Sequence, residues 1–212
     1  MSTLTEPAPA TAASEAVELT YREAVNAALE DAMAEDPTVV LMGEDVDADG
    51  GVFKTNIGLP ARFPGRVLAT PICENGFMGV ALGMSITGMR PVVEIMFADF
   101  LPTAGDAIVN QLPKYRYMSG GQFTVPVTVR IMGGGGGRFG TQHSATAVSW
   151  YMAQPGMRVA AASSPQAAYE MLRAAIRNND PVLFHEHKAL YPRRYGAHLV
   201  TLAGETSELR RC

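Results

Sequence analysis

The chain has 212 residues, 47% of them hydrophobic and 18% charged, with a formal net charge of −4. That is enough chain for one large domain with its own core, and the slight acidity excludes the basic footprint of a nucleic-acid or anionic-membrane binder. Cys73 and Cys212 show no paired or metal-type spacing, so free thiols in a reducing compartment are expected.

The first residues, MSTLTEPAPATAASEAVE, lack a basic stretch followed by an apolar one and carry Glu6, Glu15 and Glu18. They read as a disordered arm over 1–18 rather than a signal or transit peptide. No run approaches the roughly 18 apolar residues of a membrane span, and a cytoplasmic location is expected. From Thr20 a helix is predicted, with Glu23 as capping-box partner and Val25, Ala28, Leu29 and Met33 on one face. TVVLMGEDV then reads as a buried strand ending in a Gly/Pro/Asn-rich loop that holds a short helix near Leu59 to Phe63.

RVLATPI is a second strand, ENGFMGVALGMSI a helix and RPVVEIMF a third strand. A helix from about Thr103 to Met118, bent at Pro113, precedes the strand VPVTVRIM and the loop GGGGGRFG. A short helix in SATAVSWYMAQ, the strand MRVAAAS, a helix capped by Ser164 with Pro165 in its first turn, and the strand PVLFHEH complete the pattern. Such alternation predicts an α/β fold: a mostly parallel sheet with helices on both faces. Ligands of these sheets bind beyond the carboxyl ends of the strands. That rule selects Glu44, Glu74, the loop after Phe97, the glycine loop and His143.

The loop matches Gly135-x-Gly137-x-x-Gly140, yet five consecutive glycines satisfy many spaced patterns, and no acidic residue follows at the spacing a ribose needs. His143 reads equally as a surface residue or as a proton donor at the ligand edge. His185 and His187 share one strand face, but no third metal ligand is evident. Glu74 is more telling. Phe77, Met78, Val80, Ala81, Leu82, Met84 and Ile86 cover every face of its helix, which predicts burial all round. A carboxylate there must be paired, protonated or facing a ligand. Gly79-x-x-x-Gly83 further suggests a helix crossing between subunits.

The motifs MGEDV at Met42, GGVF at Gly50, TPICENGF at Thr70, GMRPVVEIMF at Gly88, DAIVNQLPKYRYMSGG at Asp106, QHS at Gln142, PGMRV at Pro155 and AAIRNNDPVLFHEHKALY at Ala174 carry a resemblance. From Tyr21 to Tyr191 the chain resembles the β subunit of the E1 component of 2-oxo acid dehydrogenase complexes, in its pyrimidine-binding domain of transketolase type. The resemblance implies that residues 19–196 form this thiamine diphosphate-binding domain. A short tail, 197–212, would stand where the family continues into a second domain.

The resemblance further implies that Glu74 hydrogen-bonds the aminopyrimidine ring and that Phe100 stacks on it. Ile72 and Met96 would form walls, and Glu44 would face the cofactor region. His143 would assist acyl transfer to the lipoyl group of an E2 component. Ala175, Asn178 and Asp180 fall where some members hold potassium. The family's Gly-Asp-Gly and Asn-Asn pattern for diphosphate and Mg2+ is absent, which implies a separate α subunit and an α2β2 assembly. Pyruvate is the expected 2-oxo acid, with acetoin or branched-chain types and a non-catalytic assembly chain as alternatives.

Overall fold

Thr20 closes one strand and opens one helix. In the computed structural model, which describes residues 17–197, β1 (Val17–Thr20) runs directly into α1 (Tyr21–Glu35). The Thr20 hydroxyl accepts the Glu23 N–H at 3.2 Å and the Glu23 carboxylate accepts the Thr20 N–H at 2.7 Å. Two orphan donors at the helix start are thereby satisfied, the predicted capping box. The remaining elements are β2 (Val39–Gly43), α2 (Leu59–Arg62), β3 (Val67–Ala69), α3 (Glu74–Ile86), β4 (Arg90–Ile95), α4 (Tyr115–Met118) and β5 (Thr128–Gly133). They continue as α5 (Val148–Met152), β6 (Arg158–Ala161), α6 (Pro165–Arg177), β7 (Val182–His187) and β8 (Arg194–Ala197).

Six strands form one wholly parallel sheet in the order β3-β2-β4-β5-β7-β6. Because side chains alternate across a strand, neighbours enter different cores. Leu41, Val92 and Phe184 pack on the side of α1 and α6, while Met42, Val93 and Leu183 pack with Phe77, Met78, Leu101 and Ile108. Both faces are covered, as the uninterrupted apolar strands predict. Ser164 caps α6 by accepting the Ala167 N–H at 3.2 Å, with Pro165 at the first helical position.

Three expectations are corrected. The stretch predicted as one bent helix over 103–118 starts earlier and is broken up: a 3-10 helix over Ala98–Ala104, a π turn over Ala107–Gln111, then α4. Pro102 and Pro113 each lack an N–H, which prevents one continuous hydrogen-bond ladder. Second, α3 is not buried all round. Phe77, Met78, Ala81 and Ser85 are buried, but Val80 is 54% exposed and Leu82, Met84 and Ile86 are half-buried. One chain covers only one face of a helix whose apolar residues occupy all of them.

Third, Val17 and Glu18, expected in the arm, belong to β1, which pairs antiparallel with β8 apart from the main sheet. The arm over 1–16 and the tail from 198 lie outside the described residues.

Candidate functional site

The order of strands reverses between β2 and β4: β2 pairs with β3 on one side and β4 on the other, all parallel. The crevice beyond the carboxyl ends at such a switch point is the ordinary ligand position of an open α/β sheet. Gly43 ends β2 with φ 154°, and a Cβ placed there would lie 2.6 Å from the Glu94 carbonyl oxygen. Only glycine permits this approach. The next residue, Glu44, is thereby delivered into a buried position, 6% exposed.

Glu44 is the uncompensated group of the crevice. Its Oε1 is buried without a hydrogen-bond partner among the described residues. Burial first, then the negative charges of Glu74 and Asp45, push its carboxyl above the usual glutamate value. The Thr70 hydroxyl, one residue past β3, is similarly buried and unpartnered. Glu74 opens α3, where the exposed N–H groups and the helix dipole favour an anion. It is half-buried and takes no hydrogen bond from a described residue. The burial predicted for Glu74 therefore falls mainly on Glu44.

Phe97 to Phe100 turn out of β4 over this crevice. Phe100 is half-buried and stands edge-on to Phe97, ring centroids 5.5 Å apart, and to His143 at 5.4 Å. Met96 is half-buried against the α1 core, whereas Ile72 is 83% exposed, so the two expected wall residues lie in different surroundings. His143 ends a short 3-10 turn, Thr141–His143, with its ring 4.6 Å from that of Phe97. A cavity of about 450 Å³ adjoins this group, between Asp99, Phe100, Pro102, Gln142, Ala145 and Trp150. A larger cleft of about 1170 Å³, lined by Tyr117, Met152, Arg158 and Asp180, runs along the edge strand β6 and past the start of β7, away from the switch point.

The structure gives the other candidates structural work. The glycine loop is followed by the 3-10 turn and not by a helix N-terminus, so a dinucleotide would lack its usual pyrophosphate partner. Gly134, at φ 80°, lies against His187, whose Nε2 would be 2.1 Å from an added Cβ. His185 and His187 stand 6.5 Å apart, and burial, followed by the neighbouring His187, lowers the basicity of His185. Among the described residues no group of three or more His, Cys, Asp or Glu could hold a metal ion.

The potassium expectation meets an occupied loop. The Ala175 carbonyl accepts the Asn178 N–H at 3.1 Å, and Asn178 Oδ1 accepts the Asp180 N–H at 2.9 Å. The Asn178 carbonyl accepts from Arg90 at 3.1 Å. The two Asp180 carboxylate oxygens take Arg116 at 2.7 Å and Arg158 at 2.9 Å. With three guanidinium groups on these oxygens the arrangement does not fit a potassium ion.

A second buried constellation lies within the sheet. Arg130 of β5 is fully buried and binds Glu186 of β7 through two bonds, at 2.6 and 3.0 Å, and Glu94 of β4 at 2.9 Å. Tyr191 donates to Glu186 at 2.9 Å and Asn56 to Glu94 at 3.1 Å. Arg130 is the one charge in the apolar strand β5, and Glu94 and Glu186 stand at the same late position of the two strands beside it, which is the signal the sequence carries. The network ties three adjacent strands together beneath the crevice.

A parallel sheet carrying an unsatisfied acid, a second acid on a helix start and a ring at its switch point defines the pyrimidine-binding class of transketolase-type domain. The family model for the transketolase pyrimidine binding domain matches residues 17–194, and the chain belongs to that family. Among curated relatives it is 45% identical over 177 residues to the mitochondrial pyruvate dehydrogenase E1 component subunit beta-2 of Oryza sativa subsp. japonica, covering 83% of this chain and 47% of that protein. It is 41% identical over 183 residues to the acetoin:2,6-dichlorophenolindophenol oxidoreductase subunit beta of Cupriavidus necator, covering 82% and 54%. The chain thus spans about half the length of the curated relatives it matches. A solved structure titled a split gene transketolase, inactive beta4 tetramer, shares the fold with a TM-score of 0.64 at 24% identity, over 80% of this chain and 52% of that one.

Proposed function

We propose that this chain forms the pyrimidine-binding part of the β subunit of a thiamine diphosphate-dependent 2-oxo acid dehydrogenase. It would act with an α subunit, as α2β2, that holds the diphosphate and Mg2+. The observation that carries the reading is the pair Glu44 and Glu74 at the switch point, two electrostatically coupled carboxylates with an unpartnered buried oxygen, with Phe100 following the neighbouring strand end. This donor set fits an aminopyrimidine: an acid for a ring nitrogen, a second acid that holds its proton more tightly than an ordinary glutamate, and an aromatic face for stacking.

When bound, thiamine diphosphate supplies the electron sink for decarboxylation. Glu74 would hold the ring nitrogen and exchange a proton with it, and Phe100 would stack on the ring. Glu44, whose burial keeps it protonated at higher pH than an ordinary glutamate, would limit charge repulsion in the crevice. Ile72, exposed on this chain, would become wall when the α subunit closes over it. His143 would act as proton donor while the acyl group passes to lipoyl-E2. Pyruvate is the proposed substrate, as in the name of the rice relative.

The test co-expresses the chain with an α subunit and measures cofactor-dependent decarboxylation of pyruvate with an artificial electron acceptor. Acetoin and branched-chain 2-oxo acids serve as competitors. Glu74→Gln is expected to lower turnover on the order of 10²-fold or more. Assembly without cofactor-dependent turnover, or full turnover in Glu74→Gln, overturns the proposal.

A further inference from the structure

Lys188 follows the carboxyl end of β7, where a lysine would ordinarily reach solvent. Instead it is 6% exposed. Its ammonium donates to the main-chain carbonyl of His143 at 2.6 Å. It lies 5.0 Å from the ring centre of Phe97 and 5.9 Å from that of Phe139, within cation–π range of both. Burial lowers its proton affinity, and the negative charge of Asp99 opposes that loss. An apolar side chain would fill the same space without desolvating a charge. The charge therefore calls for an explanation in what it holds.

The segment it holds is fastened from three strand ends. Lys188, after β7, takes the carbonyl of His143. Asp99, after β4, accepts the Ala145 N–H at 3.1 and 3.3 Å through its two oxygens. Gly134, after β5, donates to the Ala145 carbonyl at 2.9 Å. Every main-chain group engaged here flanks one imidazole. That imidazole itself makes no hydrogen bond to a described residue and rests edge-on against Phe97 and Phe100, interplanar angles 82° and 80°.

We infer that Lys188 is a positioning residue for His143, its ammonium clamped between Phe97 and Phe139 so that the imidazole is held beside Phe100. The inference rests on the proposed role of His143 in acyl transfer. Lys188 touches neither the reacting atoms nor the crevice acids. It acts through the His143 backbone. Loss of the fastening lets the ring swing away from Phe100 and slows the step that needs a donor at a fixed place, while steps that depend on Glu74 continue.

The experiment compares Lys188→Met, Lys188→Arg and His143→Ala in the assembled α/β enzyme. Two rates are measured, acylation of a lipoyl domain and decarboxylation with an artificial acceptor. Lys188→Met is expected to slow lipoyl acylation on the order of 10- to 100-fold, with decarboxylation and cofactor affinity within about twofold. Lys188→Arg, which restores a cationic donor, should recover most of the rate. Normal acylation by Lys188→Met alongside a slow His143→Ala overturns the inference and leaves the histidine's role standing.

Normal acylation by His143→Ala overturns that role instead. The positioning claim is then judged by a readout independent of activity, the histidine ring-proton NMR signals of the full chain. Lys188→Met should move the His143 signals toward those of an exposed histidine, and unchanged signals refute the positioning. If Lys188→Met compromises assembly, Asp99→Ala removes the fastening on the other side of the loop and carries the same expectation and the same refutation.

Discussion

Two pairs of glutamates stand toward the carboxyl ends of the sheet. Glu94 and Glu186 flank Arg130, and all three are withdrawn from solvent, with Asn56 and Tyr191 donating to the acids. Glu44 and Glu74 lie one strand further along, with no ion pair to either among the described residues; burial first, and then the charges of Glu74 and Asp45, raise the cost of ionising Glu44. The first pair is compensated inside the chain and serves as a structural tie. The second is left with an unpartnered oxygen at a crevice, the condition of a site completed from outside. Buried acids of the same type thus divide into architecture and chemistry according to where their counter-charge comes from.

The largest test removes that counter-charge. Arg130→Met should cost about 3 to 5 kcal/mol in urea unfolding, because two buried carboxylates lose their common partner; a loss under about 1 kcal/mol would mean that the tie is dispensable. The opposite sign is expected in the open pair. Glu44→Gln should stabilise the chain by about 1 kcal/mol near neutral pH, by removing a buried charge with no partner, while impairing cofactor-dependent turnover once assembled. A destabilised Glu44→Gln would show that its carboxylate has a partner after all.

A pH series sharpens the contrast. Glu44 and Glu94 both hold their protons more tightly when folded than at the ordinary value of 4.5. Their contribution is complete below that value and is lost as pH rises through the raised folded values. Unfolding free energy measured from acid to neutral pH should therefore carry a declining component, smaller in Glu44→Gln. An identical profile in that variant would dismiss Glu44 as a source. The smallest effect concerns α3. Val80→Ser, on its exposed face, should change chain stability by less than about 0.5 kcal/mol yet weaken association with an α subunit, measured by sedimentation.

Most of this was legible where the signal is local. The capping box at Thr20, the Ser164-Pro165 start of α6 and the six apolar strands follow from neighbours in sequence. Glu44, Glu74, the loop after Phe97 and His143 were selectable because carboxyl-end loops of a parallel sheet are where ligands gather, and the resemblance singled out Phe100 within that loop. What escaped depends on distant partners. Strand β1 pairs with β8 across nearly the whole chain, and nothing near Val17 announces it. The apolar pattern of α3 states that its faces need cover but not which chain supplies it. Nothing next to Lys188 in the sequence announces its burial, which Phe97 and Phe139 create from two other loops.

The β1 and β8 ribbon has a geometric consequence. Val17 stands opposite Ala197 in register, so the two ends of the described chain are neighbours across a single strand pair, roughly 5 Å apart between Cα atoms. Whatever precedes Val17 and whatever follows Ala197 must leave from one spot. The domain is in effect a closed loop with a seam, and a few residues joining its ends would permit circular permutation, with new termini opened in the exposed stretch around Gly135 to Gly140.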